Sequence, residues 1–169
     1  MADFGKLITE YIEKNKAPEK DVFTQKDITN ELLNRWSFEL EKNEMPLILV
    51  NKPKFLQQKT AMLITNKNIY YKVLKRSFWT SITQTFAKPF VQVAPFSSII
   101  HFQIGEHDAC FGTAYVGHNL EINQESVGLL RMGGGVFLNE NIINYINSLS
   151  EYLVDKGALK TKPKEYAWQ

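Results

Sequence analysis

Thr60-Ala61-Met62-Leu63-Ile64-Thr65-Asn66-Lys67-Asn68-Ile69-Tyr70-Tyr71-Lys72-Val73 holds two runs rich in β-branched and aromatic residues, joined by the turn-prone pair Asn66-Lys67. That spelling predicts a β-hairpin. Upstream, Leu47-Ile48-Leu49-Val50 is a short apolar run bounded by Pro46 and the turn Asn51-Lys52-Pro53-Lys54, which suits a buried strand. Downstream, Phe78 to Thr85, Phe90 to Ala94, Ile99 to Ile104, Cys110 to Val116, Leu120 to Asn123 and Val127 to Met132 read as further strands. Seven or more short strands imply an antiparallel sandwich or a partly open barrel.

Helical periodicity flanks this β-rich stretch. Phe4, Leu7, Ile8, Tyr11 and Ile12 recur on one face of a first helix that stops before Pro18. Thr24 with Asp27 reads as a capping box, and Phe23 can staple onto Ile28. A second helix is expected from there, carrying Ile28, Leu32, Trp36 and Leu40 to about Glu41. After the strands, Asn139 reads as an N-cap, and Ile142, Ile146, Leu149 and Leu153 mark a third helix that ends before Gly157. The expected division is a helical extension over 1–44, a β-rich body with its closing helix over 45–156 and a mobile tail over 157–169.

Composition bounds the possibilities. The chain has 169 residues, 44% hydrophobic and 22% charged, enough for one self-sufficient core without a cofactor or structural metal. A net charge of +2 is far from the balance of a dedicated nucleic-acid binder. Cys110 is the sole cysteine, so no intramolecular disulfide forms, which fits a reducing cytosol. The opening Met1-Ala2-Asp3-Phe4-Gly5-Lys6-Leu7 lacks a basic region followed by a long apolar one, so no signal peptide is expected. The apolar runs fall short of the roughly 20 residues that span a bilayer.

Ala61-Met62-Leu63-Ile64-Thr65-Asn66-Lys67-Asn68-Ile69-Tyr70-Tyr71 resembles the strand pair of bacterial pleckstrin-homology-like and GRAM-like domains, with Asn66 and Asn68 where Asp and Arg are commoner. Ala94-Pro95-Phe96-Ser97-Ser98-Ile99 is similar to that family's short signature leading into a hairpin, with Ser98 where Asp is usual. The resemblance covers residues 45 to 156. It implies a mainly β, α+β fold: a bent, antiparallel, seven-stranded barrel closed by the C-terminal helix and preceded here by two N-terminal helices. Trp36, Trp79 and Trp168 all fall outside the closing helix, where eukaryotic members commonly carry a Trp.

Little in the sequence points to catalysis. His101, His107 and His118 with Asp108 and Cys110 are the densest collection of metal-ligand types, but alternating strand positions and the lack of a second paired motif argue against a site. Cys110 between Ala109 and Phe111 reads as a small apolar core residue. Gly133-Gly134-Gly135 lacks the Lys-Ser/Thr pair of a phosphate loop and reads as a chain turn. No catalytic residue, metal or cofactor is assigned.

Binding is the better reading, at three places. Lys52, Lys54 and Lys59 flank the loop that meets anionic headgroups in lipid-binding members of the resembled family. Lys75 and Arg76, then Phe78 and Trp79, and later Lys88 interleave cations with aromatics, as at a membrane interface. Tyr11, Trp36 and Phe38 are large enough to anchor a protein partner or a second copy of the chain. The sequence reading is a non-enzymatic cytosolic binding or scaffolding module, engaging a protein partner or, peripherally, an anionic membrane surface. Nucleic acid is not an expected partner. One alternative is a small-ligand barrel or minor enzyme with a pocket including His101, His107 or His118, which a polar cavity with convergent side chains would favour. Another is an oligomeric module assembled through the N-terminal helices.

Overall fold

The computed structural model of the chain describes residues 2–19, 21–50, 60–75, 90–110, 115–130 and 140–164. In chain order the elements are helix α1 (Phe4–Lys14), strand β1 (Val22–Thr24), a 3-10 turn (Gln25–Asp27), α2 (Asn30–Trp36), β2 (Pro46–Val50), β3 (Ala61–Thr65) and β4 (Asn68–Lys72). There follow β5 (Val91–Pro95), a second 3-10 turn (Phe96–Ser98), β6 (Phe102–Cys110), β7 (Tyr115–Ile122), β8 (Glu125–Leu130) and α3 (Glu140–Asp155). The fold is α+β and mainly β. Its strands form a five-stranded sheet ordered β1-β2-β3-β4-β5 and a three-stranded sheet ordered β6-β7-β8, antiparallel throughout. A single antiparallel bridge, Leu74 to Leu129, joins the two, and no closed barrel forms among the described residues.

The hairpin read from residues 60–73 is β3–β4, with Ile64 opposite Ile69 and Leu63 opposite Tyr70. Its alternation serves two cores at once. Ile48, Val50, Met62, Ile64, Ile69 and Tyr71 point to a main core shared with the second sheet, α1 and α3. Leu49, Ala61, Leu63 and Tyr70 point the other way, onto Leu33, Trp36 and Phe38. A sheet covered on both faces needs an unbroken apolar strand, and the run Leu47–Val50 supplies one.

The N-terminal 44 residues, expected as an extension, are built into this body. Val22–Thr24 pairs with β2 as an edge strand, and Ile8 and Tyr11 of α1 lie in the main core. Tyr11, Trp36 and Phe38 are each at most 3% exposed, so these three rings fill the chain's own interior instead of facing a partner. The second helix is also shorter than its periodicity predicts. Strand pairing takes up Val22–Thr24, Thr24 makes no side-chain cap, and Thr29 becomes the N-cap by accepting from the Leu32 N–H at 3.2 Å. Ser37, left-handed at φ +60°, then ends the helix at Trp36.

The strand expected over 110–116 is the junction of two: Cys110 closes β6 and pairs with Tyr115, which opens β7. Phe111, Thr113, Tyr115 and Val116 are β-prone, and with Gly112 as the one strong turn residue among them the spelling reads as a single strand. The expected strand over 78–85, the glycine trio, Asn139 and the terminal aromatics Tyr166 and Trp168 lie outside the described residues.

Helix α3 closes the second sheet with fully buried Ile142, Ile146, Leu149 and Leu153. Its Asn147 side chain mimics a strand partner for β6: the Ile104 N–H donates to Oδ1 at 2.8 Å, and Nδ2 donates to the Ile104 carbonyl at 2.9 Å. Gly157, at φ +72°, terminates the helix. The tail expected to be mobile is docked as far as Lys164. Leu159 is buried, the N–H groups of Lys160 and Thr161 donate to the Ile100 carbonyl, and the Lys164 N–H donates to Gln103.

Candidate functional site

The site starts from a glycine. Where the chain leaves β4, Leu74 crosses onto β8, and its N–H and C=O both bond to Leu129, at 3.0 and 2.9 Å. Gly128 lies under this crossing at φ +141°, where a Cβ would sit 2.6 Å from Val73 Cγ2 and 2.7 Å from the Leu74 carbonyl oxygen. Only glycine lets the two backbones approach so closely.

Beside the crossing lies a half-open groove of about 650 Å³. Tyr71, Leu74 and Lys75 line one wall, Gln92 comes from the neighbouring β5, and Asn119 and Ser126 face them from the second sheet. The volume falls in the range of small-molecule sites, roughly 300–1,000 Å³.

The polar groups of the groove differ in how they are satisfied. Ser126 Oγ donates to Asn119 Oδ1 at 2.7 Å, while Asn119 Nδ2 donates to the Glu106 carbonyl at 3.3 Å, so this amide is held in orientation. Tyr71 is 8% exposed, and its hydroxyl, which makes no hydrogen bond within the described residues, opens to the groove rather than being sealed in the core. Burial raises its pKa, so at neutral pH it remains a protonated donor. Gln92 stands opposite Tyr71 in the β4–β5 register, and its carboxamide is likewise without a partner among the described residues. The Lys75 ammonium lies 5.2 Å from the centroid of the Phe90 ring and pairs with no carboxylate there. Phe90 is 61% exposed at the mouth of β5.

Among the described residues singled out in the sequence for binding, Lys75 alone lines this groove. Lys52, Lys54, Lys59, Arg76, Phe78, Trp79 and Lys88 lie outside the described residues. The histidines do not converge. His107 and His118 face each other across β6 and β7 with ring centroids 5.8 Å apart, whereas His101 lies six residues back along the strand, roughly 20 Å away at about 3.4 Å per residue. His101 is buried with Nδ1 3.2 Å from the Thr161 carbonyl. Burial lowers the pKa of His118, and His107 adds to this, while the bond to the Gly105 carbonyl opposes them. Among the described residues no three of His, Cys, Asp and Glu come together as a metal site.

Tyr71, Gln92, Asn119 and Ser126 were not singled out by sequence reasoning. The signals were there: Gln92 interrupts an apolar strand on its inward face, and Gly128 lies inside a strand, a mark of close backbone approach. A second, more open groove of about 480 Å³ separates α1 from α3, where burial pushes the Tyr145 phenol up to about 12. There Lys16 is paired with Glu19, and the Tyr11 hydroxyl donates to the Tyr145 carbonyl at 2.8 Å.

A different, half-buried polar cluster is structural. Glu44 accepts from the Thr65 hydroxyl, from Asn68 Nδ2 at 2.8 Å, from the Tyr70 hydroxyl at 2.5 Å and from the Glu41 N–H at 2.9 Å. Burial alone would raise its pKa, but these bonds outweigh it and hold the carboxyl below its usual range. The cluster ties the approach to β2 onto the β3–β4 turn. No protein-family model, curated protein or solved structure matches the chain. No helix among the described residues is long and apolar enough to cross a membrane.

Proposed function

We propose that the chain is a pleckstrin-homology-like or GRAM-like binding module that acts by equilibrium binding of a small ligand in the groove between its two sheets. The observation that carries this reading is a pair of polar side chains, Tyr71 and Gln92, that stand side by side on the wall of that groove and make no side-chain hydrogen bond within the described residues. A series of antiparallel strands followed by a closing helix supports the family reading. The concave groove favours a small ligand over adsorption to a flat anionic surface, which the basic loop at Lys52, Lys54 and Lys59 would serve instead.

The test is a screen of small amphiphilic fragments against the full chain, read from its backbone amide NMR spectrum. Binding fragments are expected to shift the amides of Tyr71, Gln92, Asn119 and Ser126 as a group. Shifts that scatter over the surface, or that gather in the groove between α1 and α3, would refute the assignment.

A further inference from the structure

We infer that the groove takes a small amphiphilic carboxylate, its oxygens on the Tyr71 hydroxyl and the Gln92 carboxamide, its charge facing Lys75 and its apolar body on Leu74, Val127 and Leu129. This rests on the small-ligand reading and names the ligand class. Tyr71 and Gln92 are direct cross-strand partners, so their side chains leave the same face of the sheet about 5 Å apart at Cα. Both lack hydrogen-bond partners among the described residues, and together they offer one O–H and one N–H to a pair of oxygens.

The charge comes from the same side. Phe90 immediately precedes β5, two residues before Gln92, and the Lys75 ammonium, itself in the groove lining, lies over the Phe90 ring. This brings the cation toward the Tyr71–Gln92 pair without engaging it in an ion pair among the described residues. A carboxylate meets two neutral donors and a nearby cation with charge-assisted bonds, about twice as strong as neutral ones. Leu74, Val127 and Leu129 form the apolar part of the lining, which asks for a hydrocarbon body.

The experiment compares octanoate with octanamide, alike in length and differing in charge, on the full chain by amide NMR titration. Phosphatidylcholine–phosphatidylserine vesicles form a third arm. Octanoate is expected to shift the groove amides and to bind about tenfold more tightly than octanamide. Lys75→Met should bring octanoate down to the level of octanamide. Tyr71→Phe should weaken octanoate about fivefold while the unfolding midpoint holds or rises, because the hydroxyl has no partner to lose; a merely structural tyrosine would lower the midpoint instead. Equal binding of octanamide in the groove would overturn the carboxylate and leave the small-ligand reading standing. If no probe reaches the groove, both fall. Lys75-dependent binding to vesicles without octanoate binding would overturn the small occupant in favour of a lipid surface.

Discussion

Gly128→Ala is expected to break the seam between the two sheets. At φ +141° an L side chain is strained by about 1–3 kcal/mol before any contact is counted. The new Cβ would meet Val73 Cγ2 at 2.6 Å, which a rotamer change can relieve, and the Leu74 carbonyl oxygen at 2.7 Å, which it cannot. That oxygen accepts from the Leu129 N–H, so moving it sacrifices the reciprocal pair that makes the bridge, at about 1 kcal/mol net for each bond. The sum is about 3–5 kcal/mol, a large part of the 5–15 kcal/mol typical of a domain. With about 2–4 °C lost per kcal/mol for a chain of this size, thermal unfolding followed by circular dichroism should show a midpoint lower by roughly 10 °C or more. Gly157→Ala is the control. Gly157 also has positive φ, at +72°, but nothing lies within 4 Å of its Cβ position, so the cost there should be about 1 kcal/mol. Equal midpoints for the two variants would refute the crossing as the reason for the glycine.

Three further outcomes follow from the packing. Glu44→Gln should cost about 1–2 kcal/mol at neutral pH by urea titration, since it weakens several bonds made to a carboxylate. Because the folded pKa of Glu44 lies below the unfolded value of about 4.3, its contribution is complete above that value and fades as pH falls through the lower folded pKa; the variant should lack this acid-dependent loss. Asn147→Ala should cost about 2–3 kcal/mol and speed hydrogen exchange at the Ile104 amide, and an unchanged rate there would discard the edge-capping role. Trp36→Ala should cost about 3–5 kcal/mol in denaturant titrations and Trp36→Phe much less, because the indole N–H has no partner; equal losses would mean that the N–H, and not the ring volume, matters.

The fold was legible wherever local pattern and tertiary pairing agree. Residues 60–73 turn and pair as their spelling predicts, and Ile142 through Leu153 keep one apolar stripe from the first turn of α3 to the last. The reading departs from the structure where a distant partner intervenes. Thr24 and Asp27 have the residues of a helix start, yet the pairing of Val22–Thr24 with β2 claims that backbone, a contact no local window contains. Leu159 has the same history: beyond a helix-ending glycine the tail reads as polar and mobile, and one buried leucine with three backbone bonds holds it down. The groove was less legible still. It exists because β4 and β8 touch at one bridge, and neither strand records the other in its own periodicity.

The same crossing explains why polar side chains collect there. Along β3 and β4 the inward face, through Ile69, Tyr71 and on to Val73, packs into the main core under the second sheet, α1 and α3. Beyond Lys72 the strand leaves its sheet and meets β8 at Leu74, and beside Tyr71 the space between the sheets is filled only partly by side chains. A phenylalanine at position 71 would satisfy the packing without leaving a hydroxyl unpaired, and a leucine at position 92 would match the apolar neighbours of β5. The chain instead carries at these two cross-strand partners a hydroxyl and a carboxamide that spend no hydrogen bond on the described fold, with an ammonium poised over Phe90 beside them. The three groups share one wall of one groove, where they spend no side-chain hydrogen bond on the described fold and are open to a ligand that brings its own oxygens.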